Sequence, residues 1–281
     1  MTTRPEADAG AGPVSAVTAR SPARGPGRGV IYSVTLILAF CSIVYELLLA
    51  QTLASVMGNS QLRYNITIGL YIFALGAGAM IYERWKPGAS MSRLVNVEIV
   101  LCLVGAFSPL SILLFDTGMH YLAHGLDISY RHGAIQTMIY VFNHGMIIAI
   151  GILSGLELPL LMNISEQNET SGGIRALAVD YGGTLVGAVA FPLLILPALG
   201  VLFTAFLVGL LNAICALWLL AHVGTGTSWS SDSRESLSRL ATGRGLLCAF
   251  AAMAFLVFLF YNDSIREFTL ENFYFNLPSV Y

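Results

Sequence analysis

Four carboxylic acids stand inside long apolar stretches of the sequence: Glu46, Glu98, Glu157 and Asp180. Burying an ionisable side chain in hydrocarbon costs at least about 2.5 kcal/mol, so each of these acids needs a partner or a task. Two chemistries suit carboxyl groups in an apolar setting: binding a cation from outside the protein, and exchanging a proton. These acids are therefore the first candidates for a functional site.

Three of the acids are expected at one depth. Counting about 1.5 Å of helical rise per residue from the predicted helix ends, Glu98, Glu157 and Asp180 fall within about two turns of the cytoplasmic membrane face. There they could share an acidic layer. A structural role suits two of them equally well: Glu98 could reach the membrane surface or pair with Arg93 or Arg175, and Asp180 suits a helix amino terminus, where negative charge is favoured.

Glu46 is the hardest of the acids to explain by packing. No Lys or Arg is expected at its depth, so it must be protonated, bonded to Tyr45 or His144, or reserved for an external cation. The count of helical rise places Glu46 and His144 close to the bilayer centre, on helices that enter from opposite sides. His144 by itself is more typical of a core histidine that hydrogen-bonds a neighbouring helix, and so is Asn212.

Pro159 lies two residues after Glu157, with Leu158 between them. Proline leaves the carbonyl four residues earlier without its helical partner. The segment is therefore either a break with free backbone acceptors, as in the cation sites of transporters, or a simple kink that a neighbouring helix satisfies.

The elements that must hold these residues are apolar helices. Stretches of about 20 residues, the length that spans a hydrocarbon core of about 30 Å, recur along the chain. They predict an all-α, polytopic integral membrane helix bundle with about seven transmembrane helices, at residues 30–57, 65–82, 94–115, 134–162, 176–198, 201–221 and 246–261. The transmembrane domain is thus expected over residues 30–262, after a disordered cytoplasmic tail at 1–29 that is rich in Ala, Gly, Pro, Ser and Arg.

Small residues predict where those helices touch. A smooth face is expected on the second helix, and G-x-x-x-G pairs on the fourth and fifth. The residues concerned are Gly69, Gly76 and Gly78 with Ala74 and Ala77, then Gly151 and Gly155, then Gly183 and Gly187.

Composition supports a membrane protein and excludes other classes. Charged residues make up 11% of the 281 residues, against about 25% in soluble domains, and the mean hydropathy is +0.73. A water-soluble enzyme could not cover its surface with so few charges. A formal net charge of −2 leaves no basic surface for a nucleic acid, so nucleic-acid binding is excluded.

The polar segment from Asp116 to Gly133 is predicted as a surface loop, carrying at most a short interfacial helix. Its His120 and His124 have a spacing that could hold a metal ion if the loop were helical, but solvated loop residues are the more typical explanation. The cysteines lie apart in apolar runs and indicate packing; they are Cys41, Cys102, Cys215 and Cys248. We therefore predict no metal site, no catalytic residue and no cofactor.

Basic residues predict the orientation. Eleven of the fourteen Lys and Arg residues fall on the side of the amino terminus in the predicted topology. Because cytoplasmic loops are enriched in Lys and Arg, we expect a multi-pass protein of the cell membrane with a cytoplasmic amino terminus. Seven crossings would then place the carboxyl terminus outside.

Two stretches of the sequence carry recognisable motifs. The first is SIVYELLLAQTLASVMGNS (42–60), and the second runs from GILSGLELPLLM (151–162) through IRALAVDYGGTLVGAVAFPLLILPALG (174–200) to VGLLNAICALWLL (208–220). Their most specific pieces are Tyr45-Glu46, Glu157-Leu158-Pro159, Asp180-Tyr181 and Phe191-Pro192. Together they resemble the amino-terminal membrane domain of the membrane-bound spermidine synthase-like (polyamine aminopropyltransferase) family.

In that family the other half of the protein is a soluble aminopropyltransferase domain, with a glycine-rich loop for decarboxylated S-adenosylmethionine and aspartates that hold the amine. The resemblance implies that residues 263–281 are the linker to this domain and that the sequence, ending at Tyr281, lacks it. The pairs Gly172-Gly173 and Gly182-Gly183 precede no βαβ pattern, so neither predicts a nucleotide loop. We therefore expect no aminopropyl transfer by this chain alone.

The resemblance conflicts with the charge count at one point. The donor is made in the cytoplasm, whereas seven crossings place Tyr281 outside. Either one crossing is miscounted, or the soluble half of the relatives works outside on another substrate.

Three functions remain open from the sequence. The chain could be a partner or anchor in polyamine metabolism, holding a separately encoded aminopropyltransferase-like protein at the lipid bilayer. It would then bind polyamine through Glu46, Glu98, Glu157, Asp180, Tyr45, His144 and Tyr181. Alternatively it is a stand-alone, proton-coupled transporter of polyamine or another cation, in which Glu46 and Glu157 exchange proton for cation. The third possibility is a structural membrane protein whose acids only fix helix packing.

Overall fold

The computed structural model describes residues 27–85, 90–129, 132–223 and 244–245. Within these ranges the elements are helical and no strand occurs, which agrees with the all-α prediction. The helices are α1 (Arg28–Met57), α2 (Ser60–Trp85), α3 (Ser90–Gly125), α4 (Gly133–Asn168), α5 (Gly172–Ala190) and α6 (Leu196–Val223). A π-helical segment, Phe191–Ile195, joins α5 to α6.

The predicted count of about seven transmembrane helices is not supported. In the part of the chain that the structure describes, five helical stretches are long and apolar enough to cross a membrane. The predicted fifth and sixth helices form one continuous apolar stretch, Gly172–Leu220, of 49 residues. The predicted seventh helix, at 246–261, and the two predicted tails lie almost wholly outside the described residues. The long apolar helices are compatible with a membrane location.

The 49-residue stretch reverses direction at Gly200. Pro192 and Pro197 lack the N–H that a regular helix needs, and Gly200 then adopts φ 72° and ψ 178°, a conformation that favours glycine. Leu219, near the end of α6, packs with Ile31 at the start of α1, whereas Ala205 packs with residues of the second half of α1. The two halves of the stretch therefore run in opposite directions.

The prediction of a surface loop from Asp116 to Gly133 is wrong for most of its length. Helix α3 continues to Gly125, and a short connection precedes α4 at Gly133. The extra turns are held because Met119 and Ala123 pack with Ile135 and Ile139 of α4. Apolar residues at helical spacing among the polar ones were enough to keep this segment helical.

Glycines bring the helices into close contact, as their spacing predicts. Gly151 and Gly155 of α4 lie directly against Ala74 and Leu75 of α2. On the other side of the bundle, α5 packs on α1 through Gly183 and Gly187, which lie against Ala39 and Ile43 respectively. Gly78 also lies against α4, but Gly69 and Gly76 contact nothing that would exclude a side chain, so they are not part of a helix interface.

Candidate functional site

An acidic cavity lies between α1, α2, α4 and α5. Its volume is about 610 Å³, and we call it the acidic cavity because four carboxylates line it: Glu46, Glu157, Glu166 and Asp180. No Lys, Arg or His is among the described residues that line it. Hydroxyl and amide groups complete the polar lining, from Ser42, Tyr82, Ser154, Asn163, Tyr181 and Thr184. The cavity therefore offers oxygen ligands and negative charge without an internal counter-charge.

Helical spacing explains how each element presents its acid. Ser42 and Glu46 are four residues apart on α1 and so lie on one face, and the same spacing puts Asp180 and Thr184 on one face of α5. On α4, Ser154 and Glu157 are three residues apart. The glycine contacts of α4 with α2 and of α5 with α1 hold these faces around one space.

The two deepest acids of the cavity are buried and have no basic partner. Glu46 is 6% exposed and Glu157 is 4% exposed. Oε1 of Glu157 has no hydrogen-bond partner among the described residues, and no Lys, Arg or His of those ranges lines the cavity beside Glu46. Leaving a buried carboxylate unsatisfied is costly, so both side chains are suited to an external donor or cation.

Glu98 stands directly behind Glu157, on α3. Its side chain is fully buried, its carboxyl lies within hydrogen-bonding reach of the Glu157 carboxyl, and neither Glu98 oxygen has a donor among the described residues. Two ionised carboxylates are both acceptors, so only a shared proton or a bound cation can join them. Glu98 and Glu157 thus lie side by side, and Asp180 lines the same cavity as Glu157 from α5, while a shared depth in the membrane stays a prediction.

The two arginines considered as partners of Glu98, Arg175 and Arg93, do not pair with it. Arg175 donates to Oε1 of Glu169 at 2.6 Å, and Arg28 lies 3.8 Å from the other oxygen of Glu169. These ion pairs lie where α4 gives way to α5, beyond the carboxyl pair. Since neither Glu98 oxygen has a partner, Arg93 does not pair with it either.

His144 does not meet Glu46. Its Nδ1 lies 2.7 Å from the carbonyl oxygen of Tyr140 one turn earlier on α4, and its ring packs against the Tyr140 ring. It is also absent from the lining of the acidic cavity. The depth count for His144 therefore leads to no contact, because the residue lies on another face of α4.

The two candidate tyrosines have different surroundings. Tyr45 is fully buried and turned toward α3, where its ring lies against Gly105 and its hydroxyl has no hydrogen-bond partner among the described residues. Tyr181 lines the acidic cavity and is exposed. Tyr45 is thus separated from the cavity, whereas Tyr181 stands at its edge.

Pro159 causes no break in α4. The helix runs without interruption from Gly133 to Asn168 with Pro159 inside it, so the broken-helix alternative does not apply. The irregular backbone occurs instead at Phe191–Ile195 and Gly200.

Sequence reasoning missed two residues of the site: Glu166, which lines the cavity, and Tyr71, which lies beside it. The hydroxyl of Tyr71, on α2, lies 2.9 Å from Ser154 Oγ and 3.3 Å from Ser42 Oγ. Tyr71 is fully buried, so this contact ties α1, α2 and α4 together beside the cavity. A tyrosine in an apolar helix gives no signal of its own, because its hydroxyl can find a partner on any neighbour.

Metal chemistry has no obvious donor set here. Among the described residues no group of three or more His, Cys, Asp or Glu is arranged to hold a metal ion. The three cysteines in those ranges, Cys41, Cys102 and Cys215, are buried, and no disulfide joins them to one another. The carboxylates of the acidic cavity are instead distributed along it, on three different helices.

Comparison with known proteins points to one group of relatives. The chain is 28% identical over 231 residues to polyamine aminopropyltransferase 2 of Ralstonia nicotianae. This match covers 80% of the present chain and 42% of the Ralstonia protein. The chain is 28% identical over 247 residues to polyamine aminopropyltransferase of Leptospira interrogans, covering 87% and 44%, and 33% identical over 191 residues to polyamine aminopropyltransferase 1 of Streptomyces coelicolor, covering 66% and 32%. These similarities over most of the chain support the spermidine synthase-like relationship that the motifs predict.

The match is to part of each relative. The chain spans less than half the length of these proteins. No family model matches the chain, and no solved structure matches it.

Proposed function

We propose that this chain is a multi-pass integral membrane domain that binds a polyamine in the acidic cavity and serves as the partner or anchor of an aminopropyltransferase-like protein. The observation that carries the proposal is the cavity itself, with four carboxylates and no basic residue in its described lining. Among the residues that line the cavity, Glu157 has a buried oxygen, Oε1, without a hydrogen-bond partner in the described part of the chain.

The charges of a polyamine suit this arrangement. Two opposite unit charges 4 Å apart attract by about 4 kcal/mol at the effective dielectric constant of a protein. A polyamine carries several ammonium groups along one flexible chain, so it can meet carboxylates on α1, α4 and α5 at the same time. The methylene groups between the ammonium groups fit the apolar part of the lining.

The names of the relatives supply the link to polyamine chemistry. Because the chain covers less than half of those proteins, the aminopropyltransferase activity in their names belongs, in this proposal, to a further domain or to a separate chain. The membrane domain would hold that activity at the bilayer and deliver or receive the amine. Co-purification from detergent of a soluble aminopropyltransferase-like protein tests this association, and failure to retain any such protein contradicts it.

Binding of spermidine to the purified protein tests the site. Replacing Glu157 by Gln keeps the shape and removes the charge, and we expect at least about a tenfold loss of affinity, equal to about 1.4 kcal/mol. Glu83→Gln is the matched control, since Glu83 is exposed and does not line the cavity. Equal affinity in the two variants contradicts the proposed site.

Transport is a second candidate, favoured by the shape of the cavity and by the Glu98–Glu157 pair. The lining extends from Glu166, in the last turn of α4, to Glu46 in the second half of α1, and the carboxyl pair can hold a proton that a cation displaces. In sealed vesicles Glu46→Gln would abolish spermidine flux while leaving the protein folded. Unchanged flux in that variant removes this candidate.

A further inference from the structure

The four carboxylates of the acidic cavity stand at different heights along the helix axes. Ser42 of α1 and Ser154 of α4 define a common level, because both lie against the Tyr71 hydroxyl. Glu46 is four residues beyond Ser42, and Glu157 is three residues beyond Ser154 on a helix that runs the other way. At about 1.5 Å of rise per residue, these two acids are separated by about 10 Å along the axis.

The other two acids continue the series toward the end of the cavity. Gly183 of α5 lies against Leu36 and Ala39 of α1, which places Asp180, one turn earlier, about 7 Å beyond Glu157. Glu166 is nine residues after Glu157 on α4 and so lies about 7 Å beyond Asp180. The acids therefore form an axial ladder of carboxylates with spacings of about 10, 7 and 7 Å.

We propose that this ladder selects linear amines by the distance between their terminal ammonium groups, and that the 10 Å step from Glu46 to Glu157 excludes short diamines from simultaneous contact with both acids. The proposal rests on the proposed function and specifies the chemical class of its ligand. It does not depend on the cluster of acids alone, because the Glu157 side chain lines the cavity, is 4% exposed and has an oxygen, Oε1, without a hydrogen-bond partner among the described residues.

Chain length decides which acids one molecule can reach. An extended alkyl chain advances about 1.25 Å per bond, given single bonds of about 1.5 Å and tetrahedral angles. A 1,4-diaminobutane molecule then spans about 6 Å and fits only the shorter steps, whereas 1,8-diaminooctane and the triamine with three- and four-carbon spacers both span about 11 Å. Only the longer molecules join Glu46 to Glu157.

The test is a binding series with the wild-type protein in detergent. We expect 1,8-diaminooctane and spermidine to bind at least about tenfold more tightly than 1,4-diaminobutane. The longer amines pair with both buried acids, Glu46 and Glu157, whereas a short diamine must place an ammonium group at Asp180 or Glu166, which are less buried and attract a cation more weakly. N-butyl-1,4-diaminobutane is the matched control: it has the same formula as 1,8-diaminooctane, but its two ammonium groups are only about 6 Å apart. It is expected to bind like 1,4-diaminobutane.

The variant Glu46→Gln tests whether Glu46 is the first acid of the ladder. In Glu46→Gln the advantage of 1,8-diaminooctane over its isomer is expected to fall to about onefold, while Glu157→Gln weakens both compounds. If every amine binds wild-type protein with equal affinity, the ladder is wrong and the proposed function stands. If no amine binds at all, the proposed function is wrong as well. The wild-type series alone decides between these outcomes, even if a variant does not fold.

Discussion

Glu98 shows most directly why the acids of this chain need an explanation beyond packing. Its side chain is fully buried, its two oxygens have no donor among the described residues, and it lies beside another carboxyl. A group selected only for stability would have a partner, because an unsatisfied buried polar group costs about 1 to 3 kcal/mol. Residues that lower stability in this way are typical of functional sites.

The first prediction concerns the variant Glu98→Gln. The change removes one charge from a low-dielectric site and gives Glu157 an amide donor, so we expect the free energy of unfolding to rise by up to about 2 kcal/mol. Affinity for spermidine should fall at the same time. Thermal unfolding in detergent and amine binding, measured on the same preparation, check both effects.

The result also separates a binding site from a purely structural role of the acids. Glu83→Gln, at an exposed position outside the cavity, is expected to change neither quantity. If Glu98→Gln destabilises the protein and leaves amine binding intact, the acids fix helix packing and the binding proposal fails.

The cost of burial singled out acids that the structure brings together, while their function and their depth in a membrane stay predictions. Three of the four acids singled out by the cost of burial line one cavity, and the fourth stands behind it. The predicted contact of His144 with Glu46 was wrong, since the rise along a helix says nothing about which face a residue lies on. Glu166 and Tyr71 were missed because neither is unusual in its own sequence context.

At the scale of the elements, glycine contacts determine how close the helices approach. Gly155 of α4 lies directly against the backbone of Leu75 on α2, and Gly151 lies against Ala74. Any side chain there must separate the two helices. The width of the acidic cavity therefore depends on these contacts, since α2 and α4 both line it.

The second prediction is that Gly155→Ala destabilises the protein by about 1 to 3 kcal/mol, the usual cost of overpacking. Gly69→Ala on α2 is the matched control, because no atom lies within reach of a side chain there. In that variant the better helix propensity of Ala should leave stability unchanged or raise it by up to about 1 kcal/mol. Chemical unfolding of both variants under one set of conditions measures the difference. A Gly155→Ala protein as stable as the Gly69→Ala protein would contradict the close approach of α2 and α4.

The elements were predictable where apolar length decides the structure, and less so where tertiary contacts decide it. Stretches of sufficient length identified α1 to α4 and their approximate bounds, and G-x-x-x-G spacing identified two helix interfaces. The extension of α3 to Gly125 was missed because the polar residues of that segment outweighed its spaced apolar ones. The reversal at Gly200 falls between the predicted helices at 176–198 and 201–221, although the apolar stretch itself is continuous there.

At the scale of the whole molecule, the cavity and the ion pairs share one end of the bundle. Glu166 lies in the last turn of α4, and Glu169, Arg28 and Arg175 form ion pairs at the same end. The loops predicted on this side also carry most of the basic residues of the sequence. In the predicted orientation this end of the cavity would face the cytoplasm, so the proposed amine ligand would enter from that side.

The third prediction tests that orientation. Ser60, the first residue of α2, and Thr170, between α4 and α5, are both exposed and lie at opposite ends of the bundle, whereas the cysteines of the described ranges are buried. A membrane-impermeant maleimide applied to intact cells is expected to label Ser60→Cys and to leave Thr170→Cys and the wild-type protein unlabelled. After the cells are opened, Thr170→Cys should react too. Labelling of Thr170→Cys in intact cells would show that the orientation is the opposite of the predicted one. Arg28 and Arg175 would then face outward, against the preference of basic residues for the cytoplasm. The acidic cavity would in that case collect its cation from outside the cell.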